Sequence, residues 1–160
     1  MNTDIYLKID NIQGESQDAN HKGWIKVSSF SWGATQPANI NVGGGGGTGR
    51  VQYQDLQVNA DVDKATPAIM RYLSNGKHIN KVELSACHAS DGQIEYLRIT
   101  LEEVIITGAS YSGTSHTNKV GMSYKFQAAK VGQQYWELTG NGGKGPETAS
   151  GWHIKENRET

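Results

Sequence analysis

The 160 residues suit one domain, which at this length buries roughly two-thirds of the surface that its unfolded form exposes. Fifteen Lys and Arg against sixteen Asp and Glu leave a formal net charge of -1, and no basic run is present to follow a phosphate backbone, so nucleic acid is excluded as an expected partner. One cysteine, Cys87, excludes an intrachain disulfide framework, and no segment approaches the ~18 apolar residues of a membrane span, so no membrane insertion is expected. The hydrophobic fraction is low at 36%, yet four Trp and seven Tyr supply large apolar faces, part of which is expected at interfaces.

The first strand is set by Ile5, Leu7 and Ile9, alternating with Tyr6, Lys8 and Asp10, and residues 11–20 read as a polar loop. A second strand spans residues 23–32. Its apolar set changes phase between Ile25/Val27 and Phe30/Trp32, which predicts a bulge at Ser28-Ser29. Residues 34–49, with Pro37 and the run Gly43, Gly44, Gly45, Gly46 and Gly47, read as an extended exposed loop. The preferred reading is an arm that orders on contact with a partner, against a plain disordered surface loop. A third strand runs from Val51 to Val62 with a bulge at Gln54-Asp55.

The single helix is predicted to start at Thr66 as N-cap with Pro67 at N1, and to stop at Asn75-Gly76. Ile69, Met70 and Leu73 are its expected packing residues, since two or three turns need a sheet to rest on. Asp61 and Asp63 are placed to assist its positive end. Period two then returns. Val82, Leu84 and Ala86 form one row and Leu97, Ile99, Leu101 and Ile105 another, joined by a turn at Asp91-Gly92. Residues 108–115 read as a Ser/Gly loop, and Val120, Met122, Tyr124, Phe126 and Ala128 as an unbroken strand. A turn at 131–133 leads to Trp136 and Leu138, and Trp152 with Ile154 closes the pattern. Seven or eight strands and one short helix predict a mainly β fold, a small antiparallel barrel or sandwich.

Chemistry is sparse. Gly44-x-Gly46-x-x-Gly49 has the letters of a dinucleotide fingerprint, but Arg50 onward reads as strand where that motif opens a helix. Arg50-Val51 also stands where a P-loop needs Lys and a hydroxyl residue. The histidines His21, His78, His88, His116 and His153 are scattered, with no i,i+4 zinc pair. Cys87 and His88 are strand neighbours and point to opposite faces; Cys87 shares the less apolar parity of Glu83 and Ser85 and reads as a plain thiol. Ser110 and Ser112 lack a nucleophile elbow, and Glu102-Glu103 read as solvated strand residues, with two alternatives open for Glu103, which shares the parity of Leu101 and Ile105: it ends the buried row, or it pairs with a cation such as Lys125 or Arg98. No enzyme, cofactor or metal is expected.

Asp4-Ile5-Tyr6-Leu7-Lys8-Ile9-Asp10, followed by Ile12-x-Gly14-Glu15-Ser16-Gln17-Asp18 and His21-Lys22-Gly23, resembles the Hcp family, the tube protein of the bacterial type VI secretion system. Ser31-Trp32-Gly33, Asp63-Lys64-Ala65-Thr66-Pro67, Gln93-Ile94-Glu95-Tyr96-Leu97, Leu101-Glu102-Glu103-Val104 and Gly151-Trp152-x-Ile154-Lys155-Glu156-Asn157 carry the resemblance over nearly the whole chain, in order. It implies a β-barrel subunit that closes into a hexameric ring. Rings stack into a tube within a contractile sheath, carry a spike, assemble on a baseplate and hold small effectors in the lumen. It also implies residence in the cytoplasm before firing and secretion without a cleaved signal peptide, consistent with an amino terminus that lacks a secretory signal. The loop at 34–49 corresponds to the family's extended loop. Gly43, Gly44, Gly45, Gly46, Gly47, Thr48, Gly49 and Arg50 are therefore expected to contact a neighbouring subunit.

Two departures stand out: Lys119-Val120-Gly121-Met122 occupies a place where many members carry a Glu, and five consecutive glycines make the extended loop unusually pliable. The end at Thr160 leaves no room for a fused toxin domain, which favours a structural subunit. The competing reading is a ring selected mainly as an effector carrier or chaperone, and a more remote one is a sugar-binding sandwich using exposed Trp and Tyr.

Overall fold

The computed structural model describes residues 2–37, 50–89 and 92–160. The elements are β1 (Thr3–Ile9), β2 (Ile25–Ser31), β3 (Ala34–Thr35), β4 (Gln52–Tyr53), β5 (Leu56–Asp61), α1 (Ala65–Asn75), β6 (Ile79–His88), β7 (Ile94–Ser112), β8 (Gly121–Leu138), β9 (Lys144–His153) and β10 (Arg158–Glu159). All described pairings are antiparallel, in the order β10-β9-β8-β5-β2-β1-β6-β7, and a further β7–β8 pairing closes β8, β5, β2, β1, β6 and β7 into a six-stranded barrel. Closure removes the free edges of those six, while β9 and β10 remain as a flap on β8.

Alternation explains the core. Leu7, Ile9, Ile25, Leu56, Val58, Val82, Leu84, Leu101, Tyr124 and Phe126 are all buried to within 1% and fill the barrel from period-two positions. Met122 and Ile99 join them, Ile5 packs at the margin, and Leu97 is half-buried. Val120 departs from the sequence reading: it precedes β8 and is 39% exposed, because the β7–β8 hairpin runs beyond the barrel there. The predicted loop at 108–115 is strand as far as Ser112. The predicted turn at 131–133 is likewise continuous β8, where Val131 pairs with Leu101. Such long strands exceed one barrel wall, so each half takes different neighbours: Gly121–Phe126 of β8 pair with β5, and the stretch from Lys130 pairs with β9.

The bulge in β2 lies between Val27 and Ser29. In β7 the predicted row ending in Ile105 fails. Glu103 adopts φ 53, and beyond it Val104 and Ile106 are buried while Ile105 is half-buried. The third strand is two strands rather than one bulged strand. Gln54 N–H donates to Gly33 O at 2.8 Å, which holds β4 in a separate ribbon with β3, and β5 alone enters the barrel.

The helix begins at Ala65, not after a Thr66 cap. Lys64 is its N-cap and gives no side-chain cap bond. The Ala65 N–H is met instead by Asp63 Oδ1 at 2.9 Å and the Thr66 N–H by the Asp63 carbonyl at 3.0 Å, while the Thr66 side chain turns inward to Tyr124. Gly76 ends the helix in the left-handed conformation, with Gly76 N bonded to Leu73 O and Lys77 N to Tyr72 O, a Schellman closure. Ile69 is fully buried, Leu73 packs partly against the core, Met70 is half-buried, and Tyr72 rather than Met70 completes the buried face.

Residues 11–24 fold back on themselves: Gly14 N donates to Gly23 O, Gly23 N to Ser16 O and Ser16 N to Trp24 O. A Cβ at Gly14 would stand 2.6 Å from Trp24 O and 2.8 Å from Ile25 Cγ1. Gly14→Ala is therefore expected to destabilise the chain by about 1–3 kcal/mol through overpacking. An unchanged urea midpoint would contradict that close approach.

Candidate functional site

The proposed contact run of Gly43, Gly44, Gly45, Gly46, Gly47, Thr48 and Gly49 lies outside the described residues. Its flanks are well built. Ala34 pairs with Tyr53 and Thr35 with Gln52, Trp32 stacks on Tyr53 at 5.5 Å, and the Arg50 guanidinium donates to Ile154 O at 2.7 Å and Lys155 O at 3.0 Å within the same chain. Beside these flanks lies a concavity of about 330 Å³ lined by Trp32, Tyr53, Ile105, Phe126 and Ile154, with Glu103 and Lys155 among its polar groups. Among the described residues the large exposed apolar side chains are Tyr111 and Val120 at one end of the β7–β8 pair and Tyr135 and Leu138 towards the other.

A second feature, absent from the sequence reading, lies on the outer wall of the barrel. The outward parity of β1 and β6 pairs Tyr6 with Ser85 and Asp4 with Cys87, and β7 brings Glu95 opposite Cys87 and Arg98 opposite Ser85. Segment 11–24 covers this wall with His21, which stacks on Tyr6 at 4.2 Å and meets Trp24 edge-on at 4.9 Å. Cys87 and Ser85 are consequently fully buried, although they stand on the less apolar parity of the strand. Period two identifies two faces but not which of them a segment over 60 positions away will cover.

His21 Nδ1 lies 2.7 Å from Asp18 Oδ2, His21 Nε2 lies 3.1 Å from Ser85 Oγ and 3.7 Å from Cys87 Sγ, and Ser85 Oγ donates to Glu95 Oε2 at 2.6 Å. The order carboxylate, imidazole, hydroxyl or thiol is that of a nucleophile relay. It does not work as one here, because the Ser85 hydrogen is committed to Glu95 and neither nucleophile reaches solvent. Burial also pushes the Cys87 thiol up, away from the reactive thiolate. Among the described residues no group of three or more His, Cys, Asp or Glu could hold a metal ion.

Glu95 is the hub of this seam. Burial raises its carboxyl, but hydrogen bonds from Ser85, Arg98 and Lys144 together outweigh that and hold it below the ordinary range. Arg98 Nε and Lys144 Nζ approach it at 2.8 and 3.1 Å, and Lys144 also sits 3.5 Å over the Trp136 ring, so the flap is tied to the wall. A depressed folded-state value contributes stability above the unfolded pKa that is lost as pH falls through the folded one. The urea midpoint of the native chain is expected to drop on acidification below the ordinary 4.5 of a glutamate. Glu95→Gln should flatten that part of the profile, and an equally steep fall in the variant would remove Glu95 from the cause.

The family described as "Type VI secretion system effector, Hcp" matches residues 6–135. The chain belongs to the Hcp family. It is 36% identical to protein hcp1 of Pseudomonas aeruginosa over 159 residues, covering 98% of each chain. Hcp1 from Salmonella typhimurium, at 30% identity, covers 100% of both chains with a TM-score of 0.83. A solved type six secretion system protein at 26% identity gives a TM-score of 0.93 over 99% of this chain and 100% of that one.

Two stretches that carry the Hcp resemblance meet in space. Glu15 Oε2, beside Gly14, accepts the Lys64 backbone N–H at 2.7 Å and so supports the start of α1 across 49 positions of sequence. Asp63 is close by, and burial raises its carboxyl above the ordinary range despite bonds from Ala65 and Thr66. Asp63 thus serves the helix end as read from the sequence, with Glu15 as the second carboxylate where the sequence pointed to Asp61.

Proposed function

We propose that this Hcp-family chain is a structural subunit of the type VI secretion tube. Six copies close head to tail into a ring, and rings stack within a contractile sheath on a baseplate, carry a spike, and are expelled on contraction. The lumen accommodates small effector proteins. Before firing the subunit resides in the cytoplasm, and it leaves through the apparatus itself without a cleaved signal.

The observation that carries this reading is an end-to-end match to Hcp proteins on a closed barrel whose β7–β8 pair extends past the core. A heterologous contact joins two different patches on successive copies. Tyr111 with Val120, and Tyr135 with Leu138, offer exposed apolar side chains at separate places along one strand pair. The contact assigned to the run from Gly43 to Arg50 belongs to the same reading. Shortening the run to two glycines is expected to weaken stacking.

Native mass measurement of the full chain tests the ring directly. Six-subunit particles are the expected result. A single-copy particle at high concentration that still supports every secretion step would overturn the assignment.

A further inference from the structure

We propose that His21 carries a proton on both ring nitrogens in the folded chain, and that this second proton locks segment 11–24 onto the outer barrel wall.

The argument is a count of hydrogens. Asp18 Oδ2, 2.7 Å from Nδ1, also takes the Asn20 backbone N–H, so it acts as an acceptor and Nδ1 must donate. Nε2 faces Ser85 Oγ at 3.1 Å. Ser85 owns one hydrogen, and the 2.6 Å contact to Glu95 Oε2 uses it, because Arg98 and Lys144 keep that carboxyl ionised and unable to donate. Ser85 Oγ can therefore only accept from the ring, and Nε2 must also donate. A neutral ring would surrender the Ser85 bond at a site where His21 is only 3% exposed, leaving Nε2 with only the long, weak Cys87 S–H contact at 3.7 Å in its place.

The surrounding charges agree with a cationic ring. Carboxylates stand on both sides of it: Asp18 directly on Nδ1, and Glu95 one hydroxyl removed from Nε2. Each neighbouring cation already has its own carboxylate. Lys26, 4.6 Å from the Tyr6 ring centre, pairs with Asp4 from β1; Arg98, 5.7 Å from the Trp24 ring centre, bridges Glu83 of β6 and Glu95 of β7; Lys144 of β9 pairs with Glu95. Cys87 adds a weak sulfur contact at 3.7 Å, and burial keeps it a neutral thiol.

Nitrogen-resolved NMR of the full chain, with 15N-labelled histidine, reads the protons directly. At pH 7 both His21 ring nitrogens are expected in the protonated range, with the signals assigned by their loss in His21→Gln. Ser85→Ala should leave a proton on Nδ1 alone. Glu95→Gln, which frees the Ser85 hydrogen to turn toward Nε2, should also yield a neutral ring. Amide-exchange protection of Gly23 and Trp24, corrected for intrinsic rates, is expected to fall about tenfold once the ring is neutral, while β6 stays protected. A neutral His21 in the native chain at pH 7 overturns the proposal, and so does a doubly protonated ring that persists in both variants. If either variant fails to fold, the native spectrum alone decides.

Discussion

Ile69→Ala is expected to lower the free energy of unfolding by about 2–5 kcal/mol, the range for removing a large buried aliphatic side chain and leaving a cavity. Ile69 is fully buried at the centre of the helix contact, and α1 packs against β7, whose side chains are held on both flanks by β6 and β8 and have little freedom to collapse inward. Leu73, one turn further on, is only partly buried, so Leu73→Ala should cost clearly less. The two variants form an internal control, since they share helix, residue volume and replacement. Chemical denaturation at fixed subunit concentration measures both, which keeps the mass-action contribution of any assembly constant. Equal losses would mean that the helix seats differently on the barrel.

Thr66→Val is the second large effect. Its Oγ1 accepts the Asp63 backbone N–H at 3.1 Å and lies 2.7 Å from Tyr124 Oη, and both side chains are within 1% of complete burial. Valine preserves the shape and removes both bonds at once. About 1–3 kcal/mol is expected for each buried group left without a partner. Tyr124→Phe alone should be milder, because Thr66 keeps its contact with Asp63. The double variant should recover part of the Thr66→Val loss, since the orphaned phenol is then gone; a double-mutant cycle isolates that coupling. Strict additivity would show that the hydroxyl pair carries no energy of its own.

Much of this architecture was legible one strand at a time. Ile5, Leu7 and Ile9, or Val82, Leu84 and Ala86, reveal a half-buried strand because a pleated chain alternates its side chains whatever surrounds it. Asn75-Gly76 marks a helix end because a left-handed residue is needed there and glycine adopts it freely. The misreadings have a common origin. Counting by twos places Ile105 in the buried row, but the left-handed backbone at Glu103 accompanies a change in which parity faces inward. The sequence reading places a turn at 131–133, yet β7 on one side and β9 on the other hold that stretch in strand.

The candidate surfaces divide in the same way. Arg50 stands in the sequence as the last residue of the run expected to contact a neighbouring subunit, and its partners within the chain, the carbonyls of Ile154 and Lys155, lie over 100 positions away. The seam of Asp18, His21, Ser85 and Glu95 joins a loop to two strands. Its one hint in the sequence was an outward face carrying Tyr6, Ser85 and Cys87, small or aromatic where a solvated face favours charge.

The order of residues by itself determined that the chain is mainly β with one short helix, and its succession of motifs determined membership of the Hcp family, because alternation, helix stops and motif order are local properties. Tertiary structure alone decided that the outer wall of the barrel is a covered polar seam and not a wet surface. Burial there depends on residues 11–24 folding back over Ser85 and Cys87 of β6, 64 and 66 positions from His21, and no local periodicity encodes a contact of that range.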